Sequence, residues 1–200
     1  MKEVFYRFIR ILALGLVNLL YWPKITGREH MPEQGAAIVC CNHISLWDPV
    51  LVGCALRRRL RFMAKAELFS NAAFGALLRA LSAFPVKRGE SDMAALRTSL
   101  NILKEDGVLG IFPQGTRDRE GSHPMESGVA LIALRSGAPV IPVLIEGPYR
   151  IFHRTRVTVG KPVDLGELSG KYDSRHIREV TSTIESALWS LKRDSDAPSV

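Results

Sequence analysis

The chain has 200 residues, 46% of them hydrophobic and 24% charged, which excludes extended disorder and suffices for one domain with a substantial core. A net charge of +7 and a pI of about 9.6 point to an anionic partner: nucleic acid, a membrane surface, phosphorylated substrates or an acidic protein. Composition alone does not choose among these. The three cysteines, Cys40, Cys41 and Cys54, lack CxxC spacing and read as small core residues kept reduced in a cytosolic setting.

The first element is an apolar run from Val4 to Trp22, interrupted by Arg7, Arg10 and Asn18. On a helical wheel these three share a sector of about 80° with Leu14 and Tyr21, and the rest of the circumference is apolar. Ile11 to Trp22 falls well short of the roughly 20 residues a spanning helix needs. A cleaved leader fits less well, because Tyr21-Trp22-Pro23 stands where small residues belong. The pattern predicts an interfacial helix with Arg7, Arg10 and Lys24 at headgroup level and Tyr21 and Trp22 as aromatic anchor, with an ordinary packing helix as the alternative.

A buried strand follows at Ala36 to Cys41. It empties into Asn42-His43-Ile44-Ser45-Leu46-Trp47-Asp48, and Asp48-Pro49 is expected to open a helix, with Asp48 as N-cap and Pro49 at the first helical position. In a continuous helix, five residues would carry Asp48 about 140° past a full turn from His43. With His43 in a loop, the carboxylate can meet the imidazole, fix its tautomer and leave the other nitrogen to take a proton from a hydroxyl. A plain cap beside an unrelated loop histidine is the competing reading.

The helix from Val50 to Leu56 runs into Arg57-Arg58-Arg59-Leu60-Arg61, more cations than a helix terminus requires and a basic patch suited to anionic lipid or an acidic carrier protein. A strand is expected at Arg61 to Lys65, a second apolar helix from Glu67 to Leu81, and a short strand at Ala83 to Val86 that opens into Lys87-Arg88-Gly89. Ser91 is the expected cap of a helix with Met93, Leu96, Leu100 and Leu103 on its apolar face and Gly107 at its end. Val108 to Phe112 is a further strand, ending in Pro113-Gln114-Gly115-Thr116-Arg117. There a glycine permits close backbone approach and an arginine offers a planar fork for phosphate. A helix around Ser127 to Arg135, strands at Pro139 to Ile145 and Arg156 to Val159, and an amphipathic helix through Ile177 and Leu191 complete the pattern.

Strands alternating with helices predict an α/β fold with a mostly parallel central sheet flanked by helices, preceded by the apolar interfacial helix. The expected organisation is residues 1–30 as membrane-associating helix and connector, 31–192 as the α/β domain, and 193–200 as a polar tail. In a parallel sheet, the loops carrying His43 and Asp48, Lys87 and Arg88, and Gly115 to Arg117 share the carboxyl edge, where open α/β sheets bind ligands. A base with its orienter facing two guanidinium groups suggests a phosphorylated alcohol as substrate.

Four ordered blocks now resemble the glycerolipid acyltransferases, and specifically the bacterial 1-acylglycerol-3-phosphate acyltransferases. NHxxxxD is matched by Asn42-His43 through Asp48, with Ser45 at its usual place; an arginine after a strand by Val86-Lys87-Arg88-Gly89; FPEGTR by Phe112-Pro113-Gln114-Gly115-Thr116-Arg117; and a VPV-like strand by Val140-Ile141-Pro142-Val143. One position departs: the motif's glutamate is Gln114, which keeps length and hydrogen bonding but drops the charge.

The resemblance implies transfer of a fatty acyl group from acyl carrier protein or acyl-CoA to the hydroxyl of lysophosphatidic acid, giving phosphatidic acid; the apolar helices at 4–22 and 67–81 and the basic patch add the expectation of peripheral or monotopic association with anionic lipid at the cytoplasmic face of the membrane. It implies no metal or organic cofactor, because the thioester is already reactive. It assigns His43 as general base, Asp48 as its orienter, Arg88 and Arg117 as phosphate clamps with Lys87 as a weaker one, and Gln114, Gly115 and Thr116 as the substrate loop. Asn42 and Ser45 either assist or only stabilise the junction. Another lipid alcohol as acceptor, or a non-catalytic protein binding anionic lipid, are the rival readings; no nucleic-acid module is recognisable.

Overall fold

The computed structural model describes residues 2–87, 92–118, 123–149, 153–166 and 173–195, with side chains between residues 8 and 192 of those ranges. The described residues form a seven-stranded sheet: β1 (Lys24–Thr26), β2 (Ala37–Cys41), β3 (Leu60–Lys65), β4 (Phe84–Val86), β5 (Val108–Ile111), β6 (Val140–Glu146) and β7 (Arg156–Val159). Its order is β1-β7-β6-β2-β5-β3-β4. Only the β6–β7 pairing is antiparallel, so the expected mostly parallel α/β sheet forms.

Alternation along the central strands divides the core. Ile38 and Cys40 of β2, Leu109 of β5 and Val140 and Leu144 of β6 face helices α4 (Met93–Lys104), α5 (Gly128–Ser136) and α6 (Ser174–Ser195). Val39 and Cys41, with Ile141, Val143 and Ile145, face α1 (Lys2–Tyr21) and α2 (Asp48–Ala55). Because both faces are covered, these strands read as continuous apolar runs. The cysteines are free and buried, and burial pushes the Cys40 thiol up to about 12 and the Cys41 thiol well above its ordinary value.

Several boundaries differ from the sequence expectations. Asp48 is not the cap of α2: Trp47 holds that position, Asp48 and Pro49 are the first helical residues, and the Asp48 carboxylate turns back into the preceding loop. Glu67 to Leu81 is not one helix but a 3-10 turn at Ala66–Phe69 followed by α3 (Ala72–Ala80), because Asn71 accepts from the Phe74 N–H and starts a new helix. Asp92 caps α4, and Ser91, the expected cap, lies outside the described residues. Helix α6 runs on to Ser195, into the stretch expected to be tail.

Helix α1 inverts the expected wheel. Arg10 faces inward, where its guanidinium donates to the Leu56 and Arg57 carbonyls beyond α2, groups that lack intrahelical partners. Val17 and Tyr21 are buried beside it, so Tyr21 is a core residue and not a headgroup anchor. Phe8, Ile11, Leu12, Leu16, Leu19 and Trp22 face outward, 43 to 67% exposed. The Arg7 side chain lies outside those described. No helix among the described residues is long and apolar enough to cross a membrane.

The arginine cluster sits at the amino edge of the sheet, away from the motif loops. Arg58 donates to the carbonyls of Pro32 and Asp106, just before β2 and β5; Arg59 bonds Ser82; Arg61 pairs with Glu105. Much of its hydrogen bonding is therefore spent within the fold.

Candidate active site

The loop after β2 is stapled to the sheet by Asn42. Its side-chain amide donates to the Ile145 carbonyl at 2.9 Å and accepts from the Ile145 N–H at 2.7 Å, continuing the β2–β6 ladder one step past the last strand residue. Asn42 is thus a junction residue. Ser45 acts similarly: its hydroxyl accepts from the Trp47 N–H and its carbonyl from the Asp48 N–H, closing the turn into α2.

This turn brings His43 and Asp48 together. His43 Nδ1 lies 2.7 Å from Asp48 Oδ2, and the same oxygen accepts the N–H groups of Ile44 and Ser45 at 2.6 and 2.8 Å. Asp48 is fully buried, and its Oδ2 already accepts two backbone N–H groups. With Oδ2 acting as an acceptor, Nδ1–H donates the bond between them and the other ring nitrogen is left as a base.

The rest of His43 is held as firmly. Its ring stacks on Phe112 with centroids 4.5 Å apart, and Phe112 stacks on Phe62. Phe62 fits because residue 110 is glycine; a Cβ there would lie 2.4 Å from the Phe62 ring. His43 N–H donates to Gln114 Oε1 at 3.2 Å, and the His43 carbonyl accepts from the Asp118 N–H at 2.7 Å. Gln114 is buried, and its amide nitrogen lies 3.5 Å from Asp118 Oδ2. Gly115 turns the loop with φ of 64°, and a side chain there would meet the Glu126 carboxylate at 2.8 Å.

His43 opens onto a largely apolar cavity of about 1040 Å³, walled by α1 (Ala13), α2 (Val50), α3 (Leu78), α4 (Leu96) and α5 (Ile132). The volume is at the upper end of ordinary ligand sites. Lys87 lies on the same wall, its loop tied down where its backbone N–H donates to Asp92 at 2.8 Å. Thr116 and Arg117 are exposed at the end of the Gly115 turn, and Arg117 is not part of the cavity wall. Arg88 lies outside the described residues.

Sequence reasoning missed two groups. Asp118, four residues past Gln114, completes the hydrogen bonds behind the His43 backbone. Tyr149, after β6, donates its hydroxyl to Asp48 Oδ1. A polar residue in the connection after a motif strand was the available signal in each case, but His43 and Asp48, which they act on, are distant in sequence. Among the described residues, no cluster of His, Cys, Asp and Glu could hold a metal ion.

The chain is similar to known proteins along most of its length. A Bacillus subtilis 1-acyl-sn-glycerol-3-phosphate acyltransferase is 26% identical over 197 residues, covering 96% of this chain and 98% of that protein. The Streptococcus pneumoniae protein of the same name is 32% identical over 207 residues, covering 96% of this chain and 75% of the other. The crystal structure of PlsC, the 1-acyl-sn-glycerophosphate acyltransferase of Thermotoga maritima, superposes with a TM-score of 0.69 at 23% identity, over 100% of this chain and 81% of that one. The acyltransferase family model matches residues 23–146, a segment that runs from β1 to the end of β6 and contains the whole His43–Asp48 junction; the chain belongs to the acyltransferase family.

Proposed function

We propose that the protein transfers a fatty acyl group from a thioester, acyl carrier protein or acyl-CoA, to the free hydroxyl of 1-acylglycerol 3-phosphate, giving phosphatidic acid. The observation that carries this is a hydrogen-bonded His43–Asp48 pair opening onto a large apolar cavity with Lys87 on its wall. The named relatives support the acceptor.

His43 takes the proton of the acceptor hydroxyl on its free nitrogen as the oxygen attacks the thioester carbonyl, and Asp48 stabilises the imidazolium that forms. The tetrahedral intermediate then collapses: the new C–O ester bond remains, the C–S bond breaks, and His43 returns its proton to the thiolate. Lys87, Arg88 and Arg117 hold the acceptor phosphate, Gln114, Gly115 and Thr116 shape the loop beside it, and the apolar cavity takes the acyl chain. The outward apolar face of α1 supports peripheral contact with a membrane, which this reading puts at the cytoplasmic face, close to lipid substrates.

The test is acyl transfer by purified protein from acyl carrier protein and CoA thioesters to an acceptor panel, read by mass spectrometry of the lipid product. Lysophosphatidic acid should be the preferred acceptor. His43→Ala should lower turnover by at least about 10²-fold, the usual scale of general-base catalysis, with unchanged circular dichroism. Full activity in folded His43→Ala protein would refute the mechanism, and indifference to the acceptor phosphate would remove the role of the cations.

A further inference from the structure

Asp48 Oδ2 is saturated by His43, Ile44 and Ser45, so what holds Oδ1 decides how the carboxylate is aimed. The donor there is the hydroxyl of Tyr149, contributed from 101 residues away by the loop after β6. The Tyr149 ring packs edge-on against Tyr21, the last residue of α1, with centroids 5.5 Å apart at 74°. Tyr21 in turn packs against Trp47, the residue before Asp48, at 6.2 Å. Three aromatic side chains from three separate parts of the chain thus form a run of ring contacts that ends, through Tyr149, on one fully buried carboxylate.

We propose that Tyr149 is a positioning residue for the acyl transfer and that Tyr21 seats it, which makes helix α1 part of the frame that aims the base as well as an apolar surface. Two physical points carry this. A buried carboxylate oxygen without a donor is costly, and with only one oxygen held, the carboxylate is free to twist away from the line to His43. Tyr149 is also a dependable donor: burial first, then the charge of Asp48, push its phenol far above the ordinary tyrosine value, so it stays protonated throughout the working range. The ring seat matters because a phenol that rotates freely spends little time in one hydrogen-bonding geometry, whereas packing against Tyr21 restricts the Tyr149 ring to the one that reaches Asp48.

The inference rests on the reading of His43 as base, and the experiment separates the two. Tyr149→Phe keeps the ring and removes the donor. Turnover is measured with a short-chain lysophosphatidic acid below its micelle concentration, where membrane docking is not required. In parallel, proton NMR follows the downfield resonance of the His43 Nδ1–H facing Asp48, identified by its loss in His43→Gln. The expected result for Tyr149→Phe is a fall in kcat on the order of tenfold with KM little changed, the scale of a small misplacement of a reacting group. The resonance should also move or broaden. Tyr21→Ala should reproduce both effects and Tyr21→Phe should not. An unmoved resonance with unchanged kcat overturns the proposal, and so does a rise in KM alone, which would make Tyr149 a binding residue. If the wild-type protein acylates no acceptor, the catalytic reading fails, while the resonance in the Tyr149 and Tyr21 variants still decides whether this bracket aims Asp48 at His43.

Discussion

Gln114 is where this chain departs from the motif it otherwise matches, and its neighbours explain why an amide works there. Its oxygen accepts the His43 N–H, and its nitrogen faces Asp118 Oδ2, which also accepts the His123 N–H at 2.6 Å and lies 3.4 Å from His123 Nδ1. A carboxyl group is present in this loop, but four residues later. Restoring glutamate at 114 would set two buried carboxylates about as close as that amide now stands to Asp118, and like charges at such distance cannot both stay ionised comfortably. Gln114→Glu should therefore lower both turnover and the unfolding midpoint. Adding Asp118→Asn should recover much of the loss, with a coupling between the two positions of about 1–3 kcal/mol in a double-mutant cycle by urea denaturation. Strictly additive effects would show that the two side chains do not share a charge balance.

At the scale of elements, the β4-to-α4 connection depends on one aspartate. Asp92 Oδ1 caps α4 through the Ala94 and Ala95 N–H groups at 3.0 and 2.9 Å, and Oδ2 accepts from the Lys87 N–H. These donors, Lys87 first, hold its carboxyl below the usual 3.8. A depressed folded value means the stabilisation is complete above the unfolded value and is lost as pH falls through the folded one. Asp92→Ala should cost about 1 kcal/mol in urea unfolding at neutral pH, as lost caps do. That gap should narrow below about pH 4, and a gap independent of pH would remove the carboxylate from the account.

How much of the fold was legible follows the same division between local and distant contacts. β2, β5 and β6 were readable as unbroken apolar runs because each is covered on both faces, whereas Lys24-Ile25-Thr26 has one apolar residue and becomes β1 only through its pairing with β7. His43 and Asp48 were legible because five residues and one turn join them. Asp118 and Tyr149 were not, since the first acts through the His43 backbone and the second reaches Asp48 across 101 residues of chain. The split at Asn71 and the cap at Asp92 had their signals in plain view, but an apolar run and a neighbouring serine competed with them.

For the whole molecule, the arrangement of apolar surface decides how the site meets its substrates. Arg10 looks inward and the Arg58, Arg59 and Arg61 contacts lie at the amino edge, so the proposed membrane contact falls on the exposed apolar outer face of α1, on the helix whose inner face lines the cavity. Deleting residues 1–22 would be a poor test, because it removes Val17 and Tyr21 from the core. The discriminating variant is Ile11→Ser with Leu12→Ser, Leu16→Ser and Leu19→Ser, four outward positions that leave the inner face intact. At about 1 kcal/mol of lost apolar transfer for each, partitioning onto phosphatidylethanolamine–phosphatidylglycerol vesicles should fall by about 10³-fold in flotation. The unfolding midpoint should stay where it is. Activity on vesicle-embedded lysophosphatidic acid should fall with partitioning, while activity on a short-chain soluble acceptor persists, because Arg10, Val17 and Tyr21 still hold α1 against α2 and the bracket behind Asp48. Unchanged flotation would move the membrane contact to α3, where Phe74 and Leu77 are also exposed. Loss of the soluble activity with intact folding would mean that α1 governs the site through its outer face as well as its inner one.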